Sequence, residues 1–394
     1  MPTESTFLLA GLFVIAGAIG WAFARLPDFF RDAPPESSIS ADYLRGLNLV
    51  LNRQTDEALE LFVRMAKVDD ETLETHFALG HLFRRRGEVD RAIRVHQNLL
   101  ARPNLSENQR HQALFSLASD YLGAGLFDRA EKLFTELRSS STMAVPALRN
   151  LVDIHERERD WKKAIEVRRK LDARTGERSV EIAHYYCELA ERARLDGDME
   201  VARQHLKNAR RSASGTLRGT LIRAAIAREE GDFPQAITLY KQLLSADRRL
   251  MAEILPLLEA SCRETGRDGE IVRHCRGLIQ RDNTIKRDIA YAAITSGLEH
   301  TPLLRECVEE FLLDNEPLAS LIDVEHLKAL PTDRRLTAIH RICDGLRRLA
   351  MSGARYRCTG CGYSTKRLAW HCPSCKSWES IRPVQTFRFV EVVA

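Results

Sequence analysis

The chain of 394 residues has almost no excess charge, 59 Lys+Arg against 55 Asp+Glu for a formal +4. That balance argues against a dedicated nucleic-acid binder recognised by field strength alone. Local clusters at Arg84-Arg85-Arg86, Arg210-Arg211, Arg248-Arg249 and Arg347-Arg348 read as solvated helix faces. The short patterns of catalysis are missing as well: no HExxH, GxSxG, Walker-type or GxGxxG pattern stands in a suitable strand context. The chain therefore reads as a non-enzyme. A disulfide framework is also excluded, because nine cysteines is an odd total of which four fall between Cys358 and Cys375. The scattered Cys187, Cys262, Cys275, Cys307 and Cys343 lie in apolar, helix-like surroundings and read as small core residues of a protein kept in a reducing compartment. What is present is 44% hydrophobic and 29% charged residues, a foldable composition long enough for two or three domains.

Between Glu4 and Arg25 lies one uncharged stretch, Ser5 to Ala24, with Phe7 to Ile15 at its centre. Its twenty residues make a helix of about 30 Å, enough to cross the hydrocarbon core. The rival is a cleaved signal peptide, since Ala22-Phe23-Ala24 resembles a cleavage site. No Lys or Arg precedes the apolar run, however, and the clustered thiols downstream would face an oxidising space, so an uncleaved anchor over residues 1–24 is favoured. Arg25 and Arg31 flank it on the C-terminal side alone, which places the bulk of the chain in the cytoplasm. Ala16, Gly17 and Gly20 offer a small-residue face to another membrane helix. Residues 25–40, with Pro27, Pro34, Pro35 and three serines, read as a linker.

Internal repetition dominates the next two hundred residues. Ala58, Ala92, Ala130, Ala164, Ala202 and Ala236 recur at intervals of 34, 38, 34, 38 and 34. Twelve residues before each stands Gly46, Gly80, Ala118, Val152, Ala190 or Ala224, and five before each stands Arg53, Gly87, Gly125, Arg159, Gly197 or Gly231. Small residues at two fixed offsets let two antiparallel helices pack closely, and glycine ends the first of them. Leu114, Leu117, Ala118, Tyr121, Ala130 and Phe134 together resemble the tetratricopeptide repeat pattern. Six such units over 41–250 imply an all-α solenoid, a right-handed superhelix with a groove for peptides or protein surfaces. His96 and His155 occupy positions of packed aromatics and read as core residues. Over 251–352 the helical character persists but the offsets fail, with Glu270 where an alanine belongs, which implies degenerate repeats and a terminal capping helix.

Residues 353–394 carry Cys358-Thr359-Gly360-Cys361 and Cys372-Pro373-Ser374-Cys375, two CxxC knuckles. Paired knuckles put four thiolates around one tetrahedral ion, Zn or Fe, and such a closed site leaves no position for a catalytic water. The tail is too small to have a core of its own, so the ion supplies its folding energy. Trp370 and Trp378 are expected to cover the site, and the run from Gln385 to Val393 to add a strand. The knuckles resemble those of rubredoxins but depart from them at Lys376, where glycine is usual, and in their short spacer. That departure favours a structural, zinc-ribbon-like role over electron transfer.

An N-terminal membrane helix, a tetratricopeptide array and a rubredoxin-like C-terminal domain, in that order, resemble the lipopolysaccharide assembly protein B family of Gram-negative bacteria. The resemblance implies a single-pass inner-membrane adaptor that brings the lipid A-committing deacetylase to a membrane AAA+ protease. It implies further that an inner-membrane signalling protein sensing lipopolysaccharide acts on it, partly through the membrane helix. Two other readings compete: a zinc-ribbon nucleic-acid binder using Arg355, Arg357, Lys366 and Arg367, and a rubredoxin-type redox carrier using the four cysteines around iron. The sequence leaves open which groove residues touch a client and whether the chain forms a homodimer.

Overall fold

The computed structural model describes residues 15–17, 21, 41–52, 54–68, 73–213, 216–314, 327 and 329–384. The anchor and linker expected over 1–40 lie almost wholly outside these residues, as does the strand expected over 385–393. Among the described residues no helix is long and apolar enough to cross a membrane.

Helices follow one another in antiparallel pairs: α1 (Ala41–Leu51) with α2 (Thr55–Val68), α3 (Leu73–Arg85) with α4 (Val89–Leu100), and α5 (Glu107–Gly123) with α6 (Phe127–Glu136). Next come α7 (Ala144–Glu158) with α8 (Trp161–Thr175), α9 (Glu181–Leu195) with α10 (Met199–Ser212), and α11 (Leu217–Glu229) with α12 (Phe233–Ala246). The six periodic alanines all lie on the second helix of a pair, and all six are 0% exposed. The small residues read from the sequence lie on the first helix of each pair, and two of them meet large rings of the second. A methyl group at Gly46 would stand 2.5 Å from the Phe62 ring, and one at Gly80 2.4 Å from His96 Nε2. The seam is therefore filled to contact, as a protein interior normally is.

From α3 onward the chain reverses between paired helices through one left-handed residue. Gly87, Gly125, Gly197 and Gly231 hold φ of 81°, 74°, 87° and 79°. In each the following amide reaches back to close the helix, as from Glu88 N to Phe83 O at 2.9 Å and from Asp198 N to Ala193 O at 2.8 Å. Arg159 takes the same conformation, φ 56°, with a side chain that disfavours it. The second helices then start on caps such as Asp160 and Asp232, whose carboxylates accept from Lys163 N and Gln235 N.

The chain divides into two compact units, residues 1–147 and 148–394. In the first, His96 is wholly buried, as expected of a core position, and its Nδ1 bonds the buried Asp120 carboxylate. Arg84 pairs with the same carboxylate at 2.6 Å, so the buried charge is compensated. In the second, α13 (Met251–Glu264) with α14 (Gly269–Arg281) and α15 (Lys286–Ser296) with α16 (Pro302–Asp314) continue the pairing, and α17 (Thr332–Ser352) closes the core. The repeat turn persists past the point where the alanine count fails. Gly266 holds φ 65°, and the helix closes from Arg267 N to Cys262 O at 2.8 Å. This glycine stands 35 residues after Gly231, so the pattern slips by one: Ile271 is buried while Glu270 pairs with Lys241. On α17, Ile339, Cys343 and Leu346 are buried, and Arg347 ties the helix down through Glu299 at 2.9 Å and Ile294 O at 2.8 Å.

All five scattered cysteines are buried free thiols. Burial pushes Cys187, Cys262 and Cys307 up to about 11 and Cys275 and Cys343 up to about 12, which keeps them protonated and inert.

Two substitutions probe the seam and the turn in opposite directions. Gly80→Leu overpacks against His96 and lowers stability in denaturant by about 3 kcal/mol. Arg159→Gly relieves the left-handed strain and raises stability by about 1 kcal/mol.

Candidate metal centre

After α17 the chain forms a three-stranded antiparallel sheet, β1 (Tyr356–Cys358), β2 (Ser364–Thr365) and β3 (Ile381–Pro383), in the order β2-β1-β3. Cys358 ends β1, and the first knuckle closes with Gly362 N to Cys358 O at 3.0 Å and Cys358 N to Tyr363 O at 2.7 Å. Gly362, at φ 77°, makes that turn possible. The second knuckle closes likewise, Lys376 N to Cys372 O at 2.8 Å and Cys372 N to Ser377 O at 3.0 Å. Here Lys376 itself takes the left-handed conformation, φ 60°, where rubredoxins use glycine.

The four expected ligands come together. The Sγ atoms of Cys358, Cys361, Cys372 and Cys375 all lie within 4.8 Å of one another. Cys358 to Cys375 and Cys361 to Cys372 are each 3.6 Å apart. A tetrahedron of sulfurs at about 2.3 Å from a zinc ion has edges of about 3.8 Å, whereas a disulfide needs about 2.05 Å. The cluster thus fits one four-thiolate ion and not a pair of disulfides.

The surroundings favour thiolates. Cys358 Sγ donates to Ser380 Oγ at 3.3 Å, and this hydrogen bond together with backbone amides holds that thiol down at about 6. Cys375 Sγ donates to Ser377 Oγ at 3.4 Å, and the Ser377 hydroxyl and amide lower that thiol too. Burial acts the other way on Cys372 and pushes it up to about 11. Cys361 and Cys375 are exposed, giving an ion a path to the site.

Beyond the ligands, the ribbon is bound to the first helices of the pairs behind it. Trp378 was expected to cover the metal. It packs into the repeat array, its ring stacked on His184 at 5.0 Å and 15° and set edge-on to Tyr185 and Trp161 at 5.8 and 6.1 Å. Its Nε1 donates to Glu156 Oε1 at 3.1 Å, the oxygen that also accepts from Tyr185 at 2.6 Å. Burial keeps His184 neutral by lowering it to about 4, so an uncharged imidazole meets the indole. Around this anchor the charges are complementary: Lys376 pairs with Asp153, Arg355 with Glu253 at 2.8 Å, and Arg382 with Asp247 at 3.6 Å. The Tyr356 hydroxyl also bonds Glu253. None of these contacts was anticipated, and the departure from glycine at Lys376 was the one sequence signal pointing to them.

The same geometry bears on the nucleic-acid reading. Arg355 is committed to Glu253, so of the four basic residues named for phosphate only Arg357, Lys366 and Arg367 remain exposed.

Comparison with known proteins agrees with the site. A family of rubredoxin metal binding domains matches residues 356–383, and tetratricopeptide repeat families match 75–109 and 115–177. Lipopolysaccharide assembly protein B of Escherichia coli (strain K12) is 32% identical over 383 residues, covering 96% of this chain and 98% of that protein. The chain belongs to the lipopolysaccharide assembly protein B family. The Haemophilus influenzae member is likewise 32% identical, over 96% of this chain and 98% of its own length. Family membership thus spans both the helix pairs and the four-cysteine ribbon.

Protein purified without chelator is expected to carry one equivalent of zinc plus iron. Cys358→Ser combined with Cys361→Ser releases the ion and renders the ribbon protease-sensitive while most helicity in circular dichroism remains, because helix pairs are held by their neighbours. Since an ion displaces protons from thiols, its apparent affinity in a competition titration falls as pH is lowered from about 8 to about 6.

Proposed function

We propose that this protein is a non-catalytic adaptor in lipopolysaccharide assembly, held at the bacterial inner membrane with its repeats and ribbon in the cytoplasm. It would present the lipid A-committing deacetylase to a membrane AAA+ protease, in response to an inner-membrane protein that senses lipopolysaccharide. The observation that carries this reading is the near end-to-end correspondence with proteins named for lipopolysaccharide assembly. Two features of the chain support it. Stacked helix pairs offer surface for protein recognition, and the four-thiolate cluster is a closed site of the structural kind. Tethering by an N-terminal helix would confine the array to a thin shell beside the bilayer, raising its effective concentration near a membrane-bound partner.

The test is deacetylase turnover. Depleting the protein should lengthen the half-life of the lipid A deacetylase and raise its abundance, measured by immunoblot after translation is stopped. A variant lacking residues 1–24 should stay folded and metal-loaded yet fail to restore turnover. Unchanged turnover on depletion contradicts the reading.

A further inference from the structure

The ribbon cannot be built without its ligands. Its core is Tyr356, Cys358, Cys372 and Ile381, two of which are metal ligands. Its strands are three, two and three residues long, far too little to fold unaided. The residue that anchors it to the repeats hangs from the same knuckle. Trp378 follows Cys375 by three positions, in a turn where Lys376 and Glu379 hold φ of 60° and 51°. That turn is held by Cys372 N to Ser377 O at 3.0 Å and Glu379 N to Trp370 O at 2.7 Å. The direction of the indole is therefore set by the knuckle that the ion closes. A strained lysine in place of glycine is compensated by an ammonium that reaches Asp153 on α7.

On the receiving side, α7, α9 and α13 offer Asp153, Glu156, His184 and Glu253, side chains the ribbon engages with an indole and basic groups. His184 is 1% exposed, beneath the ribbon's indole ring.

We propose that metal occupancy of the four-cysteine site decides whether this face of the repeat array is covered: the loaded ribbon is its resident ligand, and loss of the ion uncovers it. The coupling lies wholly within one chain and does not depend on the adaptor reading, so either can fail alone. Linkage makes the effect reciprocal. Whatever factor the ion contributes to docking, docking contributes to ion affinity.

The experiment is hydrogen exchange followed by mass spectrometry on the full-length, detergent-solubilised protein, loaded with zinc or stripped by a chelator. Stripping should raise exchange severalfold in peptides covering the end of α7 and the start of α9, and leave α3–α5 unchanged. Trp378→Ala, with zinc bound, should raise exchange in the same peptides and weaken zinc binding in a competition titration. Lys376→Gly provides a second variant that relieves backbone strain and loosens docking less, since its ion pair is partly exposed. Unchanged α7 and α9 protection after stripping overturns the proposal. So does Trp378→Ala protein that exposes these helices yet binds zinc with undiminished affinity.

Discussion

Paired helices approach closely because small residues on one helix admit the rings of the other, as Gly46 admits Phe62 and Gly80 admits His96. Six alanines with no exposed surface on the second helices, and Gly46 and Gly80 set against the rings of Phe62 and His96, leave little room for another arrangement of the paired helices. Once the seam fixes each pair, the reversal needs a left-handed residue, and the next pair stacks in register. In the second unit the register brings Asp153, Glu156, His184 and Glu253 from different pairs to one surface. No single pair presents that surface.

The ribbon shows the complementary economy. A sheet of three very short strands has little apolar area to bury, so it borrows stability from an ion on one side and from the helix pairs on the other. Trp378 serves the second role, its indole packed against His184, Tyr185 and Trp161. Lys376 shows how a departure from a family pattern can have a cause outside the motif. Within the knuckle a lysine at φ 60° is a disadvantage, and its reason lies 223 residues away at Asp153.

Much of this was legible in the sequence, and the omissions have physical reasons. The alanine offsets located the pairs because close packing tolerates little else at those positions, and CxxC spacing located the ligands because thiolate geometry demands it. Gly266 escaped because a one-residue slip breaks a count that the fold absorbs in a loop. Arg159 was visible as an exception to glycine, yet only backbone geometry shows that it adopts the conformation glycine would. Docking was illegible because Lys, Trp, Asp and Glu are individually unremarkable on helix faces, and their pairing spans two hundred residues of chain.

If the ribbon and the repeats form one energetic unit, a double-mutant cycle between Trp378→Phe and Glu156→Gln, read from zinc-loaded stability in denaturant, should show it. A coupling of about 1 kcal/mol is expected for residues sharing a hydrogen bond in a packed contact. Additivity within about 0.3 kcal/mol, the behaviour of independent sites, would contradict it.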